Sequence, residues 1–381
     1  MQLTATVLPT LDSIDPADWD ALNPEANPFV SFAFLRALET TDCLGQAHGW
    51  YPQYICVRNE AEELVAAAPA YIKTNSYGEF VFDWSWAEAY ERHGLNYYPK
   101  LVIAAPYTPA TGPRALIKHN QDQSRCLSAL QQVADALVEQ HKLSGVHWLF
   151  APKAQNEALC ASGRLLPRTG VQYHWHNHNY SDFDEFLAGL NSRKRKNIKR
   201  ERRSVVQQGI ELQWLNGREL STEDWRQVHQ FYSSIFDRKW GTPSLSAAFF
   251  AQMGASLPDN SHVVFANLKG IRVACSVMYS SKDTLYGRYW GCSQQLDSLH
   301  FEACYYQGIE YCIRNGLSRF EPGAQGEHKI ARGFLPEYTW SAHRLADTSF
   351  HRAVADFLEQ ETPQVEQQHQ HLTTWSPFKK S

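Results

Sequence analysis

The chain has 381 residues, 43% hydrophobic and 20% charged, with a net charge of −4. Those values exclude a disordered chain and a polycation built as a whole for nucleic acid. The length exceeds one ordinary domain and fits two, expected over residues 1–165 and 166–381, with Gly163 and Pro167 as breakers near the boundary. No apolar run approaches the ~20 residues needed to span a bilayer. Met1–Val7 lacks the basic flank and apolar core of a signal peptide, so a cytoplasmic protein is expected. The eight cysteines are scattered without a Cys-x-x-Cys pair, which reads as reduced core thiols.

Helices and strands alternate along the chain. Strands are expected over Leu3–Leu8, Tyr51–Arg58, Leu64–Lys73 and Lys100–Ala104, with a helix over Pro28–Thr41. Leu127, Leu130, Val133, Ala134 and Leu137 recur at helical spacing and predict a helix over Arg125–Lys142. A strand through Phe150 leads into a turn. The second half begins with an extended segment, Val171–Asn179. A single long helix is expected over Asp182–Gln208, ended by Gly209 in a left-handed cap. After a strand at Ile210–Leu215 come helices near 222–239 and 245–256. Three strands follow, His262–Asn267, Ile271–Ser280 and Thr284–Gly291, and then a helix over His300–Asn315. A strand runs into Glu321, another covers Tyr338–Arg344, and a last helix lies near 349–360.

One stretch concentrates chemistry. Residues 320–333 set two carboxylates, a histidine, an amide and two cations among three glycines, which let backbone approach a ligand closely. Phe-Glu-Pro-Gly-Ala-Gln-Gly-Glu at 320–327 echoes Phe-Ala-Pro-Lys-Ala-Gln-Asn-Glu at 150–157, five of eight positions matching. Both follow a helix and a short strand, which predicts a duplicated unit. Ala151, Lys153 and Asn156 replace Glu321, Gly323 and Gly326, so the second unit is expected to carry the reactive site and the first to be degenerate.

A second stretch is cationic. Arg193–Arg203 holds eight cations and one acid, Glu201. A solvated helix paired with acids elsewhere is one reading. An anion site is the other, because seven uncompensated charges repel one another and a phosphate relieves that cost. Arg193, Lys194, Arg195 and Lys199 are the candidate contacts.

The element order and three segments carry a resemblance. Ser192–Ser204 with Gln208-Gly209-Ile210, Tyr289–Ser293, and Asn315–Ala324 together resemble the FemAB (FemABX) family of tandem GNAT-fold aminoacyl- and N-acyltransferases. Leu285–Thr339 resembles that family's peptidoglycan biosynthesis or recognition branch. The resemblance implies an α/β (α+β) fold of two GNAT-like domains, each a mixed central sheet flanked by helices. It implies transfer of an acyl or aminoacyl group to an amine acceptor, with no covalently bound cofactor and acyl-CoA or aminoacyl-tRNA as co-substrate. Acetyl-CoA enzymes of this fold cradle pyrophosphate in a glycine loop after the central strand. Here that loop, Cys292–Leu299, has no glycine, which favours aminoacyl-tRNA.

Transfer to an amine needs a base and donors for the oxyanion. Glu321 or His328 is the expected base. Glu302 and His300, in the first turn after the central strand, are further catalytic candidates. Lys329, Arg332 and Arg288 are expected anion partners, with Arg288 equally readable as a strand charge paired to Glu321 or Glu302. Trp290 and Gln325 complete the candidate substrate contacts. His174, His176 and His178 share a strand face but lack a carboxylate or thiol at ligand spacing, so no metal is expected. Partners would be a phosphate-bearing donor or acceptor, with contact to a membrane surface compatible with the basic helix. The competing reading is a non-catalytic binder of nucleic acid, anionic lipid or cell-wall precursor through residues 193–203.

Overall fold

The computed structural model describes residues 2–237 and 242–379. The chain divides into two compact units. One comprises Met1–Val171 with Tyr338–Gln368, the other Gln172–Glu337 with His369–Ser381. The expected single boundary at 165/166 is therefore corrected. The strand Leu166–His176 starts at that point and runs across the observed division at 171/172, and Tyr338–Gln368 joins the first unit rather than the second. Strand pairing over a distance decides this, and local composition does not report it.

In the first unit Ala70–Lys73 pairs antiparallel with Trp50–Pro52 and Lys100–Ile103. Lys100–Ile103 runs parallel to Gly145–Ala151, and Trp340–Leu345 covers that strand's other edge antiparallel. A second, antiparallel sheet orders Thr4–Leu8, Tyr54–Arg58, Leu64–Ala68 and Leu116–Ile117. The helix Gln123–Gln140 lays Cys126, Leu130, Ala134 and Leu137 onto Ile55, Val65, Ile103 and Trp148, as its periodicity predicts.

The second unit repeats the motif. Ile210–Asn216, Ser261–Leu268, Ile271–Ser280 and Thr284–Cys292 form an antiparallel run. Thr284–Cys292 then pairs in parallel with Arg319–Glu321, whose far edge takes Trp175 and His176 antiparallel. Both Phe-x-Pro-x-Ala-Gln-x-Glu copies thus follow the second strand of a parallel pair. The expected α/β fold of two GNAT-like units, mixed sheets flanked by helices, holds.

Several elements differ from expectation. The long helix at 182–208 is two, Phe183–Gly189 and Ser192–Gln207, because Leu190 is extended and Asn191 caps the second through Lys194 N–H (3.0 Å). Gly209 closes it at φ +72°. The helix at 300–315 contains a π-helical turn, Glu302–Tyr306. The first Pro-x-Ala-Gln segment is a helix, Lys153–Cys160, rather than a turn. Trp84–Arg92 is a helix without a predicted counterpart, and the last helix runs from Thr348 to Thr373. The expected end of the helix at 222–239 falls partly outside the described residues; Thr222–Asp237 is helical. All eight cysteines are free thiols.

Candidate active site

The second unit's parallel pair is only three residues long: Thr284↔Arg319, Leu285↔Phe320 and Tyr286↔Glu321. Beyond Glu321 the strands part. Pro322 has no N–H to continue the ladder, and Gly323 turns the chain away at φ +98°, a conformation that disfavours any side chain. On the central strand, Gly287 faces Met278 and Tyr289 faces Val277, so Arg288 is the extra residue of a β-bulge. Bulges re-aim side chains, and this one stands beside the parting strands. No local sequence pattern marks this bulge.

Lys329 and Arg332 lie on the short helical segment Glu327–Arg332 that follows the glycine turn. Lys329 is 3% exposed, and its Nζ donates to the Gly323 carbonyl (2.7 Å). It has no carboxylate partner within ion-pair distance among the described residues. Burial first, and the Arg288 charge second, pull its ammonium down to about 7 from an ordinary 10.5.

His328 is exposed, and its Nε2 shares a hydrogen bond with the Tyr305 hydroxyl (3.0 Å). Partial burial and then the charges of Arg332 and Lys329 hold it below the ordinary histidine range. Tyr305 comes from the π-helical turn, an irregularity that often marks functional positions. The Tyr305 ring also meets His300 edge-on, and His300 meets Trp290, each with centroids 5.3 Å apart. Burial, followed by the nearby His328, Lys329 and Arg332, lowers His300 to about 4, so it is neutral at neutral pH.

The other candidate acids are committed elsewhere. Glu321 is 1% exposed, with Arg319 Nε 3.4 Å from its Oε1, and its charge also acts on Arg288. Glu302 accepts both arms of Arg202 (3.1 Å each) and the amide of Gln307 (2.9 Å). Arg202 reaches on to Glu310 (2.7 Å). Arg332 grips Glu201 with two nitrogens (3.2 and 2.8 Å), and its guanidinium lies 3.4 Å from the Phe301 ring centre. Glu302 and Arg332 thus anchor the basic helix to the site. Gln325 is exposed on the turn.

The basic helix resolves into two sets. Lys199 pairs with Asp184 (3.3 Å), and Arg202 and Glu201 face inward. Arg193, Lys194, Arg195, Lys196, Arg200 and Arg203 make no ion pair among the described residues. Arg195, Lys196, Lys199 and Arg203 line an open groove of about 500 Å³ with Phe183 and Leu187. On the helix's other side, the glycine-free loop presents Asp297, which accepts from the hydroxyls of Ser204 (2.6 Å) and Ser298 (3.1 Å). His174 packs beside Gln172 (3.5 Å) and His176 pairs with Glu337 (2.9 Å). No group of metal-ligating side chains is found among the described residues.

The profile of the FemAB-like family, described as peptidoglycan biosynthesis/recognition, matches residues 10–380. This chain belongs to the FemAB-like family. No curated protein sequence matches it. Among solved structures it is similar to FemX, at TM-score 0.56 and 10% identity, over 93% of this chain and 100% of that one. It is also similar to the C-terminal DUF2156 domain of a protein assigned as a lysylphosphatidylglycerol synthetase from Agrobacterium fabrum. That likeness has TM-score 0.53 and 8% identity, over 89% of this chain and 95% of that one. A third, L-PGS from Bacillus licheniformis, has TM-score 0.50 and 11% identity, over 82% and 91% of the two chains. At such identities the likeness is one of fold. No described helix of this FemAB-like chain is long and apolar enough to cross a membrane.

Proposed function

We propose that this FemAB-like chain transfers an activated acyl or aminoacyl group to an amine acceptor, a peptidoglycan precursor or its relative. The carrying observation is the buried, carboxylate-free Lys329 beside Arg288 where the two parallel strands part. Burying a cation without a counter-ion is costly. A negative charge that develops only during reaction offsets that cost, as oxyanion stabilisation requires.

The acceptor nitrogen attacks the carbonyl carbon, and the C=O electron pair moves onto oxygen. Lys329, when protonated, and Arg288 stabilise that oxyanion. His328, exposed and oriented by Tyr305, takes the proton from the attacking amine. The tetrahedral intermediate then collapses, the bond to the leaving oxygen or sulfur breaks, and the proton passes to that atom. Glu321, held against Arg319, sets the field around Arg288 rather than acting as base. His300, neutral and packed between Trp290 and Tyr305, steadies the Tyr305–His328 pair.

The unpaired cations of the basic helix suit a phosphate-bearing donor. Asp297 stands in the loop where a pyrophosphate cradle would need free N–H groups, which favours aminoacyl-tRNA over acyl-CoA held in the usual way. The same cations support a binder without chemistry as the second reading.

The two are separated by transfer assays with aminoacyl-tRNA or acyl-CoA and a muropeptide acceptor. Lys329→Met and His328→Ala should each lower kcat by about 100-fold or more while donor binding persists. Turnover at the unsubstituted rate in both variants removes this assignment. Loss of donor binding only in Arg193, Lys194 and Arg195 variants, with no turnover in any form, leaves the binder.

A further inference from the structure

The first unit holds a groove that its expected degeneracy does not explain. The helix Trp84–Arg92 buries Trp86 and Tyr90 against Tyr97, Val354 and Leu358. Its opposite face, Trp84, Ala87, Glu88 and Glu91, follows the i, i+3, i+4, i+7 rule and forms one wall of a groove of about 470 Å³. The segment Leu95–Tyr98 forms the other wall. Glu88 and Glu91 are exposed and have no ion-pair partner among the described residues, and no cation lines the groove.

The walls are braced from beneath. The Tyr97 hydroxyl donates to Asp83 (2.5 Å), and that of Tyr98 shares a hydrogen bond with Ser76 (2.7 Å). Lys100, fully buried, binds Ser76 (3.0 Å), Glu79 (2.8 Å) and Asp83. Arg168 holds the Phe82 carbonyl (3.0 Å) while clamped by Glu361. A buried ion cluster is weak evidence of stability but fixes geometry well. Aromatic rings stand in solvent next to it: Trp84, in the groove wall, is 43% exposed, and Tyr77, outside the groove but in edge contact with Trp84, 71%. Rings held outward beside unpaired carboxylates are the composition that receives an organic cation, through ring quadrupole and charge together.

We infer that this groove binds an alkylammonium group, such as a lysine-type side chain of a peptide. The site lies wholly within the first unit and stands whatever the second unit catalyses. An anionic membrane surface does not fit, because Glu88 and Glu91 would face its phosphates.

Calorimetric titration of the full-length protein tests it. The probes are Nα-acetyl-lysine amide, its Nε-acetylated form and N-acetylglucosamine. Only the free amine should bind saturably. Glu88→Gln/Glu91→Gln and Trp84→Ala should each weaken it by about tenfold, which corresponds to a single cation–aromatic or charge contact, with unchanged melting. Lys329→Met should leave this binding intact, which separates it from the transfer site. Equal binding of both lysine forms, preference for the sugar, insensitivity to the carboxylate variant, or no saturable binding overturns the inference.

Discussion

Two buried lysines show how partners decide what a buried charge does. Lys100, in the first unit, is fully buried between Glu79 and Asp83; their charges outweigh its desolvation and raise its pKa above the ordinary 10.5. Lys329, in the second, is nearly as buried but meets a backbone carbonyl and the Arg288 charge, and falls to about 7. Lys73, cross-strand from Lys100, is a control within the first unit. It donates to Asn75 (3.2 Å) and the Tyr77 carbonyl (3.1 Å), has no carboxylate at ion-pair distance among the described residues, and also falls to about 7. A carboxylate contact turns a buried lysine into architecture. Without one, the lysine titrates near neutrality and is available for chemistry.

The largest test of that contrast is stability. Lys100→Met strands two buried carboxylates and should cost about 3–5 kcal/mol in urea unfolding. Lys329→Met removes an uncompensated charge and should cost nothing or stabilise. Equal losses would break the comparison. The pH dependence has opposite signs. The stabilisation from Lys100 is complete below 10.5 and is lost as pH rises through its higher folded pKa. Lys329 carries a penalty below about 7 that is relieved as pH rises from about 7 to 10.5.

A comparable effect is expected in acid. His147 and His343 are buried with their Nδ1 atoms 2.8 Å apart; burial holds His147 down to about 3 and His343 well below its ordinary 6.5. Both stay neutral when folded and gain protons when unfolded. Their stabilisation is therefore full above pH 6.5 and lost as pH falls from 6.5 toward 3, by about 1.4 kcal/mol per histidine per pH unit. A His147→Asn/His343→Gln variant should flatten that acid slope in denaturant melts.

The transfer rate should show the same logic at the active site. It rises as His328 loses its proton, below pH 6.5, and falls as Lys329 loses its proton near pH 7. In Lys329→Arg the falling limb should move to higher pH, read from kcat/KM across pH 5–10. A profile unchanged by that substitution would detach Lys329 from the reaction.

The smallest effect lies in the paired turns. Gly323 has φ +98° and little nearby to obstruct a methyl group, so Gly323→Ala should cost about 1–2 kcal/mol through backbone strain alone. Lys153→Gly at the matching place in the first copy sits in the first turn of a helix and should cost under ~1 kcal/mol.

The sequence alone determined most element types, the doubled motif and the glycine turn, because helical and strand periodicities and glycine demand are local properties. It also located His328, Lys329 and the basic helix, since charge density needs no tertiary knowledge. Lys100 left a cue, a lysine opening the apolar run Lys-Leu-Val-Ile, that no local rule could interpret. Only the tertiary structure decided which partners each of these groups meets. The repeated glutamine shows why: Gln155 accepts from the Arg114 and Ala115 N–H groups (2.7 and 3.0 Å), while Gln325 lies exposed. Glu302, expected as a catalytic group, holds Arg202, and Arg288 stands in a register shift. Burial, counter-ions and register are set by residues distant in sequence, and those three quantities decide whether a charge supports the fold or does chemistry.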